Sequence, residues 1–246
     1  TEATNQLLNY IKITLEKNGI VLMPMLAVGR AQEILLTIFE GMESGQIPKV
    51  PVFVEGMIHE TTAIHMSFLE ELSQEIKEKV FKEGINPFTS EYFHLLKDNI
   101  DKSEIIEVRP SIIIATSGML TGGPALEYFK LLAEDERNSI IFTSYQVQNT
   151  LGRKLQENVR EVHVPTEKGT MELIKVKLQV YSAEGFSGHS DRSQLLNYIR
   201  SLPTRPKQVI LCHGEPSKLL SLSQAIRKEF HIFTYIPEIG ETIKLT

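Results

Sequence analysis

Four short apolar runs, each followed at once by small residues and then by a helix-like stretch, constrain this 246-residue chain more than any other feature. The runs are Ile20–Val28, Val50–Val54, Ser111–Ala115 and Ser139–Thr143. A continuous apolar strand is covered on both faces, which points to a parallel sheet with helices on each side. The intervening stretches supply those helices. Leu7, Leu8, Ile11 and Leu15 recur at helical spacing within residues 2–17, and Asn18-Gly19 ends the stretch. Arg30–Glu43 reads as a helix, residues 60–83 as two, 89–98 as a short one, and 124–135 and 150–157 as two more. Pro24 predicts an irregularity inside the first strand. The expected class is α/β, a mostly parallel sheet flanked by helices.

The texture changes after Asn158. Val162-His163-Val164 and residues 171–183 read as antiparallel or edge strands around the polar turn Glu167-Lys168-Gly169. A loop at 186–191, a helix to about 201, a strand at Val209–Cys212, a helix near 217–229 and a short strand pair ending at Leu245 follow.

A net charge of -5 and a pI near 5.9 exclude a purely electrostatic nucleic-acid coat, although a local basic groove can sit on an acidic body. Cys212 is the only cysteine, so neither an internal disulfide nor a cysteine zinc cluster can form, which fits a reducing cytoplasm. No apolar run has the length of a membrane span and nothing reads as a signal peptide. The first residue, Thr1, falls inside a helix-like stretch, as expected of a fragment or a processed start.

In a parallel sheet, loops that follow strands gather at the carboxyl edge, where ligands bind. Four such loops are Gly29-Arg30, Glu55-Gly56-Met57, Ser117-Gly118-Met119-Leu120-Thr121-Gly122-Gly123-Pro124 and Ser144-Tyr145-Gln146. Helix N-termini there offer N–H groups to phosphate, and glycines allow close backbone approach. Arg30 and Arg153 can add phosphate contacts, and Tyr145 can stack on a base. The alternative is that these small residues merely close tight turns. None of the loops matches GxGxxG or a P-loop.

Among the histidines, His59, His65, His94, His163 and His231 lack a partner motif and read as surface or core residues. His189 stands among Ser187, Gly188 and Ser190, just before a helix that Ser190 or Asp191 can cap. His213 ends an apolar strand beside Gly214. Neutral imidazoles so placed can bind zinc or move protons. Two histidines are fewer than the three protein ligands of a usual catalytic zinc, and no third is evident.

At these residues the sequence resembles a family. Gly185-Phe186-Ser187-Gly188-His189-Ser190-Asp191 resembles motif B, and Val209-Ile210-Leu211-Cys212-His213-Gly214-Glu215 motif C, of the β-CASP metallo-β-lactamase RNA nucleases. Pro24–Glu33 is similar to the stretch just after motif A. Ser117-Gly118-Met119 with Gly122-Gly123-Pro124, and Ser144-Tyr145-Gln146 through Gly152-Arg153, match further landmarks in order. The nearest likeness is to archaeal homologues of the cleavage and polyadenylation specificity factor nuclease; RNase J is more distant.

The resemblance implies a β-CASP domain over 1–185 and, over 186–246, the returning C-terminal part of a metallo-β-lactamase αββα domain. It implies two zinc ions in the intact protein, with His213 a ligand. His189 would donate a proton to the leaving oxygen or stabilise the transition state. Arg30, Ser117, Gly118, Met119, Gly122, Gly123, Tyr145, Gln146 and Arg153 would contact single-stranded RNA. A homodimer formed through the C-terminal region is also implied. The family's HxHxDH signature, its later His and Asp ligands, the motif A acid and the KH-type domains would lie upstream of residue 1; Glu55 comes too late to be the motif A acid. The expectation is a ribonuclease part that is inactive alone. A non-catalytic RNA-binding scaffold and an unrelated nucleotide-binding domain are the alternatives; retention of both His189 and His213 favours the first reading.

Overall fold

The first helix, α1 (Glu2–Glu16), forms where the apolar spacing predicts it, burying Leu7, Leu8, Ile11 and Leu15 on one face. It stops where Asn18 turns left-handed, at φ 54°, and the chain passes through Gly19. There a Cβ would lie 2.0 Å from the Arg137 carbonyl oxygen, so only glycine fits. The computed structural model describes residues 2–96, 100–166, 168–186 and 188–245. Ser187 of the predicted histidine loop and Glu167 of the predicted turn lie outside the described residues. The chain divides into two compact units, Thr1–Ser187 and Gly188–Thr246.

In the first unit β1 (Ile20–Pro24), β2 (Val52–Glu55), β3 (Phe93–Leu95), β4 (Ser111–Ala115), β5 (Ser139–Phe142) and β8 (Gln179–Ser182) make one sheet in the order β3-β2-β4-β1-β5-β8. Every neighbouring pair is parallel. The apolar runs are continuous because both faces are covered. Val21, Met23, Val52, Val54, Ile112, Ile114 and Ile141 point into one core, with α1 and α2 (Arg30–Glu43). Ile20, Leu22, Phe53, Ile113, Ala115, Ile140 and Phe142 point into the other, with α6 (Gly123–Leu132) and Leu155 of α7 (Leu151–Gln156). Full burial of a valine, leucine, isoleucine, phenylalanine or methionine side chain contributes roughly 1.5–3 kcal/mol. An antiparallel hairpin, β6 (Glu161–Pro165) with β7 (Met171–Lys175), adds Val162, Val164 and Ile174 to the second core.

Several expectations are corrected. The first strand ends at Pro24 rather than Val28, because the chain turns after Met25 donates to Ala115 O (2.9 Å). The helix expected over 89–98 is not found in its described residues, 89–96: a 3-10 turn at Pro87–Thr89 leads into β3, which pairs with β2 as the sheet's edge. The run Tyr92-Phe93-His94-Leu95 suits a pleated, half-buried edge better than a helix. Residues 171–183 split, and their second part leaves the hairpin to extend the main sheet as β8. Helices α3 (Ile58–Ser67) and α4 (Gln74–Phe81) fall within 60–83 nearly as expected. A one-turn helix, α5 (Lys102–Ile105), capped by Asp101, had no signal in the pattern.

The second unit holds α8 (Arg192–Ser201), β9 (Gln208–Ile210), α9 (Pro216–Phe230) and β10 (Phe233–Tyr235) around Ile199, Leu211, Ile226, Phe230 and Ile232. β9 and β10 pair in parallel, and Arg227 of α9 holds β10 by donating to Thr234 Oγ1 (2.7 Å) and O (2.8 Å). The expected closing strand pair is reduced to β10, since Pro237 offers no N–H to continue the ladder. β9 ends at Ile210, before Cys212. No described helix is long and apolar enough to cross a membrane.

At the amino end of the large sheet, the buried Asn138 ties several elements together. Its Oδ1 accepts from Ile20 N–H (2.9 Å) and Arg109 Nη1 (2.9 Å), and its Nδ2 donates to Leu132 O (3.1 Å). Replacing Asn138 by Ala leaves the Ile20 N–H buried and unpaired. We expect a loss of about 2 kcal/mol in urea unfolding; a loss under about 0.5 kcal/mol would contradict this accounting.

Candidate nucleic-acid interface

Because the strands run parallel, the exits of β1, β2, β4, β5 and β8 all reach the same edge of the sheet. The β1 exit is shaped by Gln32, buried in the first turn of α2. Its Oε1 accepts from Gly29 N–H (2.7 Å), and its Nε2 donates to Ala27 O (3.1 Å) and Thr62 Oγ1 (2.9 Å). Gly29 takes a left-handed φ of 76°, which turns the chain into the helix. Leu26, Val28 and, after β2, Met57 are left exposed.

The β4 exit carries Ser117, Gly118, Met119, Gly122 and Gly123. Ser117 Oγ accepts from Thr121 N–H (3.1 Å) and bonds Thr121 Oγ1 (3.0 Å), closing the loop on itself. Gly118 is buried against the β1 exit, where a Cβ would come within 3.1 Å of Met25 C and Leu26 N. Gly123, at φ 69°, lets Ala125 N–H reach Thr116 O (2.7 Å) at the start of α6.

The β5 exit places Tyr145, 42% exposed, on the surface and Gln146 entirely inside. The Gln146 amide donates to Gly118 O (3.1 Å) and Ser144 O (3.2 Å), bridging the β4 and β5 exits. Gln146, expected to touch RNA, thus has no exposed surface, and its observed contacts are with these two loops. Arg30 and Arg153, the two expected phosphate cations, are each in an ion pair on their own helix, Arg30 with Glu33 and Arg153 with Glu157 (2.8 Å). The edge therefore offers backbone, hydroxyl and apolar groups more than unpaired positive charge.

His189 and His213 belong to the second unit, and both are exposed. His189 precedes α8, which Asp191 caps by accepting from Gln194 N–H (2.8 Å) and Ser193 Oγ (2.7 Å). Those two hydrogen bonds hold the Asp191 carboxyl below its ordinary pKa. His213 follows Leu211, whose N–H donates to Tyr235 O (2.9 Å), and has a left-handed φ of 60°. For a non-glycine residue that conformation is uncommon and is frequent at functional turns. The adjoining Gly214 lies where a Cβ would come 2.7 Å from Leu219. Of the other histidines, His65 bonds Thr61 O (2.7 Å), His94 packs near Phe53, and His231 ends α9 with a left-handed φ of 57°, so that conformation alone does not mark a site. Among the described residues, no three His, Cys, Asp or Glu side chains are arranged to hold a metal ion. The donors described here do not by themselves fit a catalytic zinc.

Sequence reasoning missed Gln32 and the role of Gln146. Gln32 stood inside the recognised Pro24–Glu33 stretch, and a capping-type glutamine three residues after Gly29 was its available signal. Gly152 is the counterpart of Gln146: a Cβ there would lie 1.9 Å from Gln146 Oε1. Gly152→Ala should expel the Gln146 amide and cost about 1–3 kcal/mol. Amide exchange should rise in Ser144–Thr150; unchanged exchange there would show that Gln146 does not hold the loop.

Comparison with known proteins places these features. Residues 31–155 match the family model of the β-CASP domain, and residues 173–237 that of the Zn-dependent metallo-hydrolase RNA specificity domain. The chain is 47% identical over 245 residues to the transcription termination factor FttA of Pyrococcus horikoshii, covering 99% of this chain and 38% of that protein. FttA of Methanocaldococcus jannaschii gives the same identity and coverage, and FttA of Methanosarcina mazei is 39% identical over the same shares. The chain thus spans 38% of the length of these curated relatives.

Proposed function

The chain belongs to the β-CASP family, and from that premise we propose that it is the C-terminal, RNA-handling part of a zinc-dependent ribonuclease acting in RNA 3′-end processing, decay or transcription termination. The observation that carries this reading is that three of the family landmarks are exits on one edge of the first unit's sheet; His189 and His213 lie in the second unit. Unit one serves as the β-CASP domain. Its two ends lie together, which supports an inserted domain: a Cβ at Gly185, beyond the last strand, would meet Ala3 Cβ at 2.7 Å. Unit two serves as the returning end of the metallo-β-lactamase domain. We assign the intact protein to the cytoplasm.

In this reading the edge loops bind single-stranded RNA. Ser117, Thr121 and the N–H groups around Gly122 and Gly123 take the backbone phosphates, and the exposed Tyr145 stacks on a base. Arg30 and Arg153 contribute by exchanging a glutamate partner for phosphate, so their net gain is smaller than that of an unpaired cation. His189 gives a proton to the leaving oxygen of the scissile phosphodiester, or stabilises the charge that develops on it. His213 would serve as one ligand of a metal site completed by other residues of the intact protein, and bound metal would supply an activated water.

In the intact protein, His189→Ala should lower RNA cleavage by about a hundredfold or more while leaving RNA affinity within about twofold. Near-normal turnover would remove His189 from the chemistry. Binding without cleavage by the unaltered intact protein, with zinc supplied, would instead support a scaffold subunit. Arg153→Gln should weaken RNA binding and reduce the salt slope by less than about one unit, given its pairing with Glu157; an unchanged slope and affinity would exclude a phosphate contact.

A further inference from the structure

One buried charged cluster lies at the same sheet edge and takes no part in the reading above. Glu55, the last residue of β2, is 2% exposed, yet both its oxygens are engaged. Oε2 accepts from the hydroxyl of Tyr128 (2.6 Å), a fully buried residue of α6. Oε1 pairs with Lys102 Nζ of α5 (2.9 Å). Lys102 also pairs with Glu127 Oε2 (2.8 Å) and lies over the Tyr128 ring, 5.5 Å from its centroid. Burial and the Glu55 hydrogen bond push the Tyr128 hydroxyl above its ordinary pKa, so it stays the donor. Burial alone would depress the Lys102 ammonium, but its bonds to Glu127 and Glu55 prevail and raise it.

A buried ion pair is weak support for stability, since apolar residues of similar volume often serve as well. What it can do is fix geometry. Here β2 grips both ends of the Ser117–Gly122 loop. At the loop's start, Gly56 accepts the Thr116 side chain where its own Cβ would stand 2.3 Å from Thr116 Oγ1. At its end, Glu55 holds Tyr128, and thereby the helix that begins at Gly123. The span between these anchors is set by the register Glu55↔Ala115 and by the Ala125 N–H to Thr116 O bond (2.7 Å).

We propose that Glu55, acting through Tyr128 and Lys102, is a positioning residue that sets the width of the Ser117–Gly123 loop for an RNA backbone phosphate. This rests on the RNA-binding reading of that loop. Glu55 touches no substrate; it keeps the loop N–H and hydroxyl groups at a fixed spacing, so its loss is felt in binding before chemistry.

The test uses the intact protein with Tyr128→Phe, and with Glu55→Gln in case the first variant fails to fold. Affinity for single-stranded RNA, cleavage kinetics, melting temperature and amide exchange are measured together. Both variants should raise Kd and KM about tenfold with kcat within about twofold. Exchange should rise in residues 116–125 and not in α1 or β1. Unchanged Kd and KM, equal losses in kcat and KM, or exchange rising throughout the sheet would overturn the positioning role. If the unaltered protein binds no RNA, the functional reading fails instead, and exchange confined to 116–125 still separates the brace from general loosening.

Discussion

Pairing of β1 with β4 is the interaction on which the rest depends. Five residue pairs run in parallel register, from Ile20↔Ser111 to Pro24↔Ala115, at the centre of a sheet buried on both faces. That pairing brings the β1 and β4 exits side by side. Gly118 can then lie against Met25 and Leu26 with no side chain between them. A slip of one residue would exchange the Val21/Met23 and Ile20/Leu22 faces between cores of different shape. The site's geometry is therefore inherited from the sheet, with the loops adding only local turns.

Polar residues buried just behind the edge make that inheritance accurate. Gln32 shapes the β1 exit, Gln146 joins the β4 and β5 exits, and Glu55 with Tyr128 braces the helix after the β4 loop. Each of these buried side chains bonds to neighbouring loops or helices in a place where an apolar residue would fill the same space. The visible surface of the edge, by contrast, is apolar or already paired. If RNA lies at this edge as proposed, aligned backbone donors and stacking would hold it, with electrostatic attraction secondary, which agrees with a net charge of -5.

Much of this was legible in the sequence where one physical signal dominated. α1 followed from apolar spacing, α2 from the stretch after the Gly29 break, and the parallel sheet from runs apolar on both faces. β3 and α5 were not legible, because three- and four-residue elements carry too little periodicity and are held by tertiary neighbours. The division of 171–183 depended on which edge stood open beside β5. At the site, glycines marked the turns, but whether Gln146 faced solvent or core, and whether Arg153 met Glu157, depended on packing that composition does not encode. Glu55 gave no sign of its partners, since Lys102 and Tyr128 are distant in sequence.

The central claim is that the carboxyl edge of this sheet is where RNA lies. Photocrosslinking of thiouridine-substituted single-stranded RNA to the intact protein, followed by peptide mapping, tests it most directly. The account predicts crosslinks on this chain at Leu26–Arg30, Met57, Ser117–Gly123 and Tyr145, lost when unlabelled RNA competes. Crosslinks confined to the amino edge near Asn138, or to the β6–β7 hairpin, would contradict it.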